Sequence, residues 1–302
     1  MYGLRRRGLP RGPRGGVREL NGAAREKPGI SAIVLDWAGT VVDFGSFAPV
    51  VSIQEVFAAR KVPISAAAAR GPMGLEKREH LRRLLADPDI RRRWTAVAGA
   101  EATPRDVDEL YRDLEPRLSA AVRRYSRLIP GVRELTDELR TWGVRIGTTT
   151  GYLRPLTDQL VEQAGRHGFI ADAVACPSDV PAGRPYPWMC FEVMTRLGVF
   201  PPRSVVKIGD TPVDMREGVN AGMWTIGVTL SGNEVGLSET EASGLTADDR
   251  SERTLEAEHR LYEAGAHYVA EGAWACRSVL ARIEERIIRG EYPAREKVRE
   301  HA

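Results

Sequence analysis

The sequence predicts an α/β protein: a doubly wound, mainly parallel sheet with an α-helical domain inserted after the first strand. Three observations carry that expectation. Short Val- and Ile-rich runs without strict alternation recur along the chain, longer segments with apolar residues at three- and four-residue steps separate them, and one long stretch shows only the helical pattern. Runs that are apolar on both faces suit strands covered on both sides, and their alternation with helices argues for a parallel sheet.

Taken in order, residues 1–28 are a basic Arg/Gly/Pro-rich leader, MYGLRRRGLPRGPRGG at its start, that lacks the composition to build a core and is expected to be disordered. The α/β core is expected over 29–46 and 127–288. Its predicted strands are 32–37, 144–149, 172–176, 204–209 and 223–229. A helical cap is expected over 47–126, where SIQEVFAARKV, KREHLRRLLADP and DVDELYRDLEPRLSAAVRRY carry the helical period. The polar tail, 289–302, is expected to fray.

Composition narrows the class. The chain has 302 residues, 42% of them hydrophobic and 28% charged, and no apolar run approaches the roughly 18 residues that span a bilayer, so a soluble protein is expected. The net charge of +3 is small and much of it lies in the leader, so no nucleic-acid partner is expected. Cys176, Cys190 and Cys276 are odd in number and show no CxxC spacing, which suits a reducing cytoplasm.

Three predicted strands end on carboxylate or hydroxyl residues: LDWAGT, GTTTGY and KIGDTPVDM. In a parallel sheet these endings share the carboxyl edge, where ligands bind. Asp36, Asp210 and Asp214 would then converge with Thr150. Adjacent carboxylates repel one another, and a hard divalent cation such as Mg²⁺ would relieve that conflict. Asp214 also fits a capping pattern, with Thr211 as N-cap and Pro212 in the first turn, and an acid can both cap and coordinate.

DWAGT, TTTG, the arginine of AGRP and GDTPVD, in this order with an insertion after the first, resemble the four motifs of the haloacid dehalogenase superfamily. The resemblance implies a Rossmann-like core, Asp36 as a nucleophile that forms an aspartyl-phosphate, Thr150 and Arg184 as phosphate ligands, and Asp210 with Asp214 at a Mg²⁺ ion. A carboxylate nucleophile divides displacement at phosphorus into two steps, and a cation offsets charge on the transferring oxygens.

Most phosphatases of this superfamily carry a second aspartate two residues after the nucleophile, where this chain has Ala38. Losing such an acid costs about 10²- to 10⁴-fold when the leaving group is an alkoxide. In GPMGLEKREHLRRLL, a helix from about Met73 would set Met73, Lys77, His80, Leu81 and Leu84 on one face, centring a lysine on an apolar stripe. Such a lysine either snorkels to water or, partly buried, becomes nucleophilic toward a carbonyl. A Schiff base between Lys77 and an aldehyde would make the missing acid unnecessary.

With that pairing, LDWAGTVVDFGSFAP, PMGLEKREH, TTGY, SDVPAGRPYPWMC and GDTPVDMREGVNAGMWTIGV resemble the phosphonatase family over nearly the whole chain from about 29 to 288. The family implies Mg²⁺-dependent carbon–phosphorus hydrolysis of a small phosphonate aldehyde by a cytoplasmic homodimer in 2-aminoethylphosphonate degradation. It implies that Asp36 and Lys77 are catalytic, that the Ala38 backbone carbonyl joins Asp36, Asp210 and Asp214 at the metal, and that Met73, His80 and Tyr152 lie near the lysine. Ser46 departs from relatives that have cysteine there. The alternatives are a phosphomonoesterase or phosphomutase of the same superfamily, which Ala38 argues against, and a catalytically silent phosphate-binding protein.

Overall fold

The computed structural model describes residues 29–293. The expectations for the leader over 1–28 and for the tail beyond 293 lie outside the described residues.

Strand β1 (Ala32–Leu35) is followed by α1 (Phe47–Ala59), α2 (Ala66–Arg70), α3 (Lys77–Ala86), α4 (Pro88–Ala98) and α5 (Pro104–Arg124). Then come α6 (Val132–Thr141), β2 (Arg145–Thr149), α7 (Arg154–Arg166), β3 (Ala173–Ala175), α8 (Trp188–Leu197), β4 (Val205–Gly209) and α9 (Pro212–Asn220). The chain continues through β5 (Trp224–Val228), α10 (Glu239–Ser243), α11 (Ala247–Glu263), β6 (Tyr268–Ala270) and α12 (Cys276–Ile288).

The strands form one sheet of order β3-β2-β1-β4-β5-β6, with every neighbouring pair parallel. The reason the strands are apolar throughout is visible in β1. Ile33 and Leu35 enter one buried cluster with Trp37, while Ala32 and Val34 enter another with Met189, Val193 and Leu197 of α8. Period-two alternation therefore separates two apolar faces rather than an apolar face from a wet one. Strand order reverses direction at β1 and β4, so the carboxyl ends of these two central strands flank the crevice where such sheets bind ligands.

The sheet has one strand beyond the five predicted. β6 pairs with β5 at the edge, and Tyr268 and Val269 are only half-buried, so it lacks the apolar run that marks the inner strands. The helices between β1 and α6 have the expected character. Thr103 and Asp106 cap α5 reciprocally, Asp87 caps α4 ahead of Pro88, and α5 buries Leu110, Leu114 and Leu118 at four-residue steps. These residues join Ile53, Phe57, Leu81 and Trp94 in the same cluster as Ile33 and Leu35.

One boundary is corrected. The helix expected from about Met73 starts at Lys77, because Gly74 adopts φ +84°, in the left-handed region, and the Glu76 side chain accepts the backbone N–H groups of Arg78 and Glu79. Met73, Lys77, His80, Leu81 and Leu84 are nevertheless all buried.

Candidate active site

The first candidate side chain follows β1. Asp36 donates its backbone N–H to Ile208 O (2.9 Å), which ties the end of β1 to β4. The chain then turns tightly: Gly39 N–H donates to Val42 O at 2.8 Å, with Gly39 at φ +82°. A Cβ on Gly39 would lie 2.1 Å from Asp210 Oδ2, so the glycine of LDWAGT is what lets this turn pass over the acid of the neighbouring strand. Further on, Asp43 accepts the N–H groups of Phe47 (2.9 Å) and Ala48 (2.8 Å), satisfying two orphan donors at the start of α1. Burial pushes the Asp43 carboxyl up to about 7.

Thr211 and Asp214 form a reciprocal cap on α9, as the spacing predicts. Asp214 does more than cap. Its Oδ2 engages Thr211, while Oδ1 lies 3.1 Å from Arg184 Nη1 and 3.0 Å from Lys207 Nζ. Burial raises the Asp214 carboxyl, but Arg184 and Lys207 outweigh that and hold it below the ordinary carboxylate value.

Asp36, Asp210 and Asp214 each present a carboxylate oxygen, all within 4.8 Å of one another. Burial raises the Asp36 carboxyl, with Arg184 opposing, and raises that of Asp210 strongly, reinforced by the charges of Asp36 and Asp214. Asp210 Oδ2 accepts Asn233 N–H (2.8 Å) and the Ser46 hydroxyl (3.1 Å). Its Oδ1 is buried without a hydrogen-bond partner among the described residues. A lone buried carboxylate oxygen beside two further acids is costly, and a hard divalent cation with oxygen ligands would satisfy it. The donor set therefore fits such an ion.

A narrow void opens in front of these acids. Asp36, Ala38, Met73, Lys77, Thr150, Tyr152, Arg184 and Asp210 line it together with Ser46. Asp214 lies immediately behind. The structure thus brings together residues separated by more than 170 positions, from β1, the 71–77 segment, the end of β2, the loop before α8 and the end of β4. Thr150 accepts Tyr152 N–H on its hydroxyl at 3.2 Å.

Lys77 is the first residue of α3 and only 3% exposed, so its ammonium does not snorkel to bulk water. Burial lowers its pKa from the usual 10.5 to about 8, opposed by the charge of Glu76. His80 is brought close in sequence but does not line the void. Its Nε2 lies 2.9 Å from Ala69 O, and burial followed by the Lys77 charge keeps the ring far below the ordinary histidine value. Met73 is 6% exposed and packs in the buried cluster that includes Tyr152.

Sequence reasoning missed the layer beneath. Arg184 donates through Nε to Glu217 Oε2 (2.9 Å) and through Nη2 to Thr149 O (2.9 Å) and Oγ1 (2.8 Å), while Nη2 pairs with Asp36 Oδ1 at 2.6 Å. Lys207, Glu217, Asn233 and Thr149 carried no reading. A signal existed for two of them: Lys207 interrupts the apolar VVKIG of β4, and Glu217 stands one turn after Asp214 on α9.

A parallel α/β sheet with a buried carboxylate cluster at the ends of its central strands defines a class, and comparison with known proteins agrees. Residues 30–222 match the haloacid dehalogenase-like hydrolase family, and the chain belongs to it as an enzyme of the hydrolase class. Within that class it belongs with the phosphonoacetaldehyde hydrolases. It is 47% identical over 264 residues to the phosphonoacetaldehyde hydrolase of Nitratidesulfovibrio vulgaris, covering 87% of this chain and 94% of that one. A phosphonoacetaldehyde hydrolase-like protein of Syntrophobacter fumaroxidans is 43% identical over 264 residues, 87% and 95% of the two chains. The crystal structure of a phosphonoacetaldehyde hydrolase like protein from Oleispira antarctica superposes with a TM-score of 0.86 at 38% identity, covering 87% of this chain and 96% of that one. No helix of the described residues is long and apolar enough to cross a membrane.

Proposed function

We propose that the enzyme hydrolyses the carbon–phosphorus bond of phosphonoacetaldehyde to acetaldehyde and phosphate. The observation that carries this reading is a buried amine, Lys77, lining the same void as the Asp36 carboxylate, with Ala38 where an oxygen-ester phosphatase would keep its acid. The reading takes residues 47–126 as a cap on a core of 29–46 and 127–288.

The Lys77 amine condenses with the aldehyde, releasing one water and forming an iminium. An Asp36 carboxylate oxygen attacks phosphorus, the carbon–phosphorus bond breaks, and its electron pair flows into the iminium to give a neutral enamine. No alkoxide departs, so no acid is needed at position 38. Water then hydrolyses the aspartyl-phosphate to phosphate. Protonation of the enamine carbon and a second water release acetaldehyde and restore the amine, for a net consumption of one water. Thr150 and Arg184 hold phosphoryl oxygens, and Met73, Tyr152 and His80 shape the surroundings of the lysine.

The carboxylates of Asp36, Asp210 and Asp214 and the Ala38 carbonyl would hold Mg²⁺, which supplies charge neutralisation at the phosphoryl oxygens. The family resemblance extends the proposal to a cytoplasmic homodimer acting in 2-aminoethylphosphonate degradation. Buried free thiols at Cys176, Cys190 and Cys276 suit a reducing compartment.

Borohydride reduction during turnover of phosphonoacetaldehyde tests the central step. Covalent modification mapped to Lys77, absent in Lys77→Ala, is the expected result; an unmodified Lys77 in an enzyme that turns over would overturn it.

A further inference from the structure

Beneath Arg184 lies a pair of charges to which the chemistry above gives no role. Lys207 on β4 and Glu217 on α9 have no exposed surface. The Lys207 ammonium donates to Thr149 Oγ1 at 2.9 Å and forms ion pairs with Asp214 Oδ1 at 3.0 Å and Glu217 Oε2 at 3.2 Å. Glu217 Oε2 in turn collects Arg184 Nε (2.9 Å), the Thr149 hydroxyl (3.1 Å) and Lys207. Glu217 thus holds the inner nitrogen of the guanidinium. The two outer nitrogens point away from it, toward Asp214 and Asp36.

A guanidinium is a rigid planar fork, so fixing Nε fixes the directions of both outer nitrogens. Burying two more charges is expensive, and a buried pair is weak evidence of stability for its own sake. The geometry points to Glu217, braced by Lys207, as a positioning residue that aims Arg184 at the phosphoryl group. Lys207 prevents the cluster from setting one cation against the three acids Asp36, Asp214 and Glu217. This inference rests on the proposed function, in which Arg184 binds the phosphoryl oxygens.

The test compares Glu217→Gln and Glu217→Met, which nearly conserve volume, by the competitive inhibition constant of inorganic phosphate and by the KM and kcat for phosphonoacetaldehyde. Gln keeps an acceptor for Nε and Met does not. The expected result is a phosphate inhibition constant and KM raised at least about 10-fold by Met and about 3-fold by Gln, equivalent to about 1.4 kcal/mol for the former. Borohydride labelling of Lys77 by acetaldehyde, which carries no phosphoryl group, stays within about 2-fold of wild type.

Equal phosphate affinity in Met, Gln and wild type overturns the inference, as does labelling that falls in step with phosphate affinity. Should Glu217→Met fail to fold, Lys207→Met/Glu217→Met removes both charges and is judged by the same criteria. Failure of wild type to label with acetaldehyde counts against the Lys77 chemistry alone, and the phosphate constants still decide the role of Glu217.

Discussion

The Lys77 Nζ lies 5.3 Å from the centre of the Tyr152 ring, so a residue of the helical segment after β1 sits over one from the loop that ends β2. Burial pushes the Tyr152 phenol well above its usual value, so the ring faces the amine as a neutral, partly apolar wall. The ring face by itself favours the ammonium, but the burial around it outweighs that and favours the uncharged amine.

The first prediction concerns pH. The folded pKa of Lys77 is depressed from 10.5 to about 8, so between those values the unfolded chain binds more protons and stability rises with pH. Denaturant melts of wild type against Lys77→Met should show wild type gaining relative stability from pH 8 to 10. Labelling of Lys77 by acetaldehyde and borohydride should rise with a midpoint near pH 8. A midpoint near 10.5 would show the amine to be solvated.

Asp36→Asn should separate the two halves of the reaction. Phosphate release should fall at least about 10³-fold, because an amide is not a nucleophile toward phosphorus. Trapping of the aldehyde on Lys77 should persist, since the proposed chemistry gives Asp36 no part in forming the iminium. Loss of both together would place Asp36 in the condensation step.

The Oδ1 of Asp210, unpartnered among the described residues, predicts a metal phenotype. Chelation should abolish turnover and added Mg²⁺ should restore it. Asp210→Asn should weaken Mg²⁺ activation more than Ser46→Ala, which removes only the hydroxyl donor to Oδ2 and is expected to cost about 10-fold in metal affinity. Titration calorimetry with Mg²⁺ ranks the three proteins, and an unchanged Asp210→Asn affinity would remove that residue from the site.

Gly74 and Gly151 predict a close approach between the helical segment and the sheet. A Cβ at Gly74 would meet Thr211 Oγ1 at 2.5 Å, and one at Gly151 would meet Leu75 O at 2.5 Å. Gly74→Ala carries in addition the roughly 1–2 kcal/mol cost of a left-handed non-glycine residue. Thermal melts should show Gly74→Ala as the less stable variant. Gly151→Ala, which lies outside the left-handed region, should act mainly by raising KM as Lys77 is pushed away from Asp36.

Much of this site was legible in one dimension because its determinants are local. The apolar runs of β1, β2 and β4 mark inner parallel strands, and the acid or hydroxyl at the end of each marks the carboxyl edge. Thr211, Pro212 and Asp214 define their cap by spacing alone. Ala38 is informative by comparison with a motif, and Lys77 by its place on an apolar stripe. The start of α3 was misplaced because the left-handed turn at Gly74 interrupts a pattern whose buried residues remain in register. The edge strand β6 was missed because half-buried residues carry no distinctive period.

What the sequence determined, then, is the order of the strands' endings and the chemical types available at them. Which of those groups meet, and in what charge state, only the tertiary structure decided. Lys77 loses its water when α3 packs over Tyr152, and Lys207 and Glu217 become a brace when β4 and α9 set them behind Arg184. Solvation and Coulomb energy depend on distances between residues far apart in the chain, and parallel crossovers bring those distances down to about 3 Å only when the whole sheet has formed.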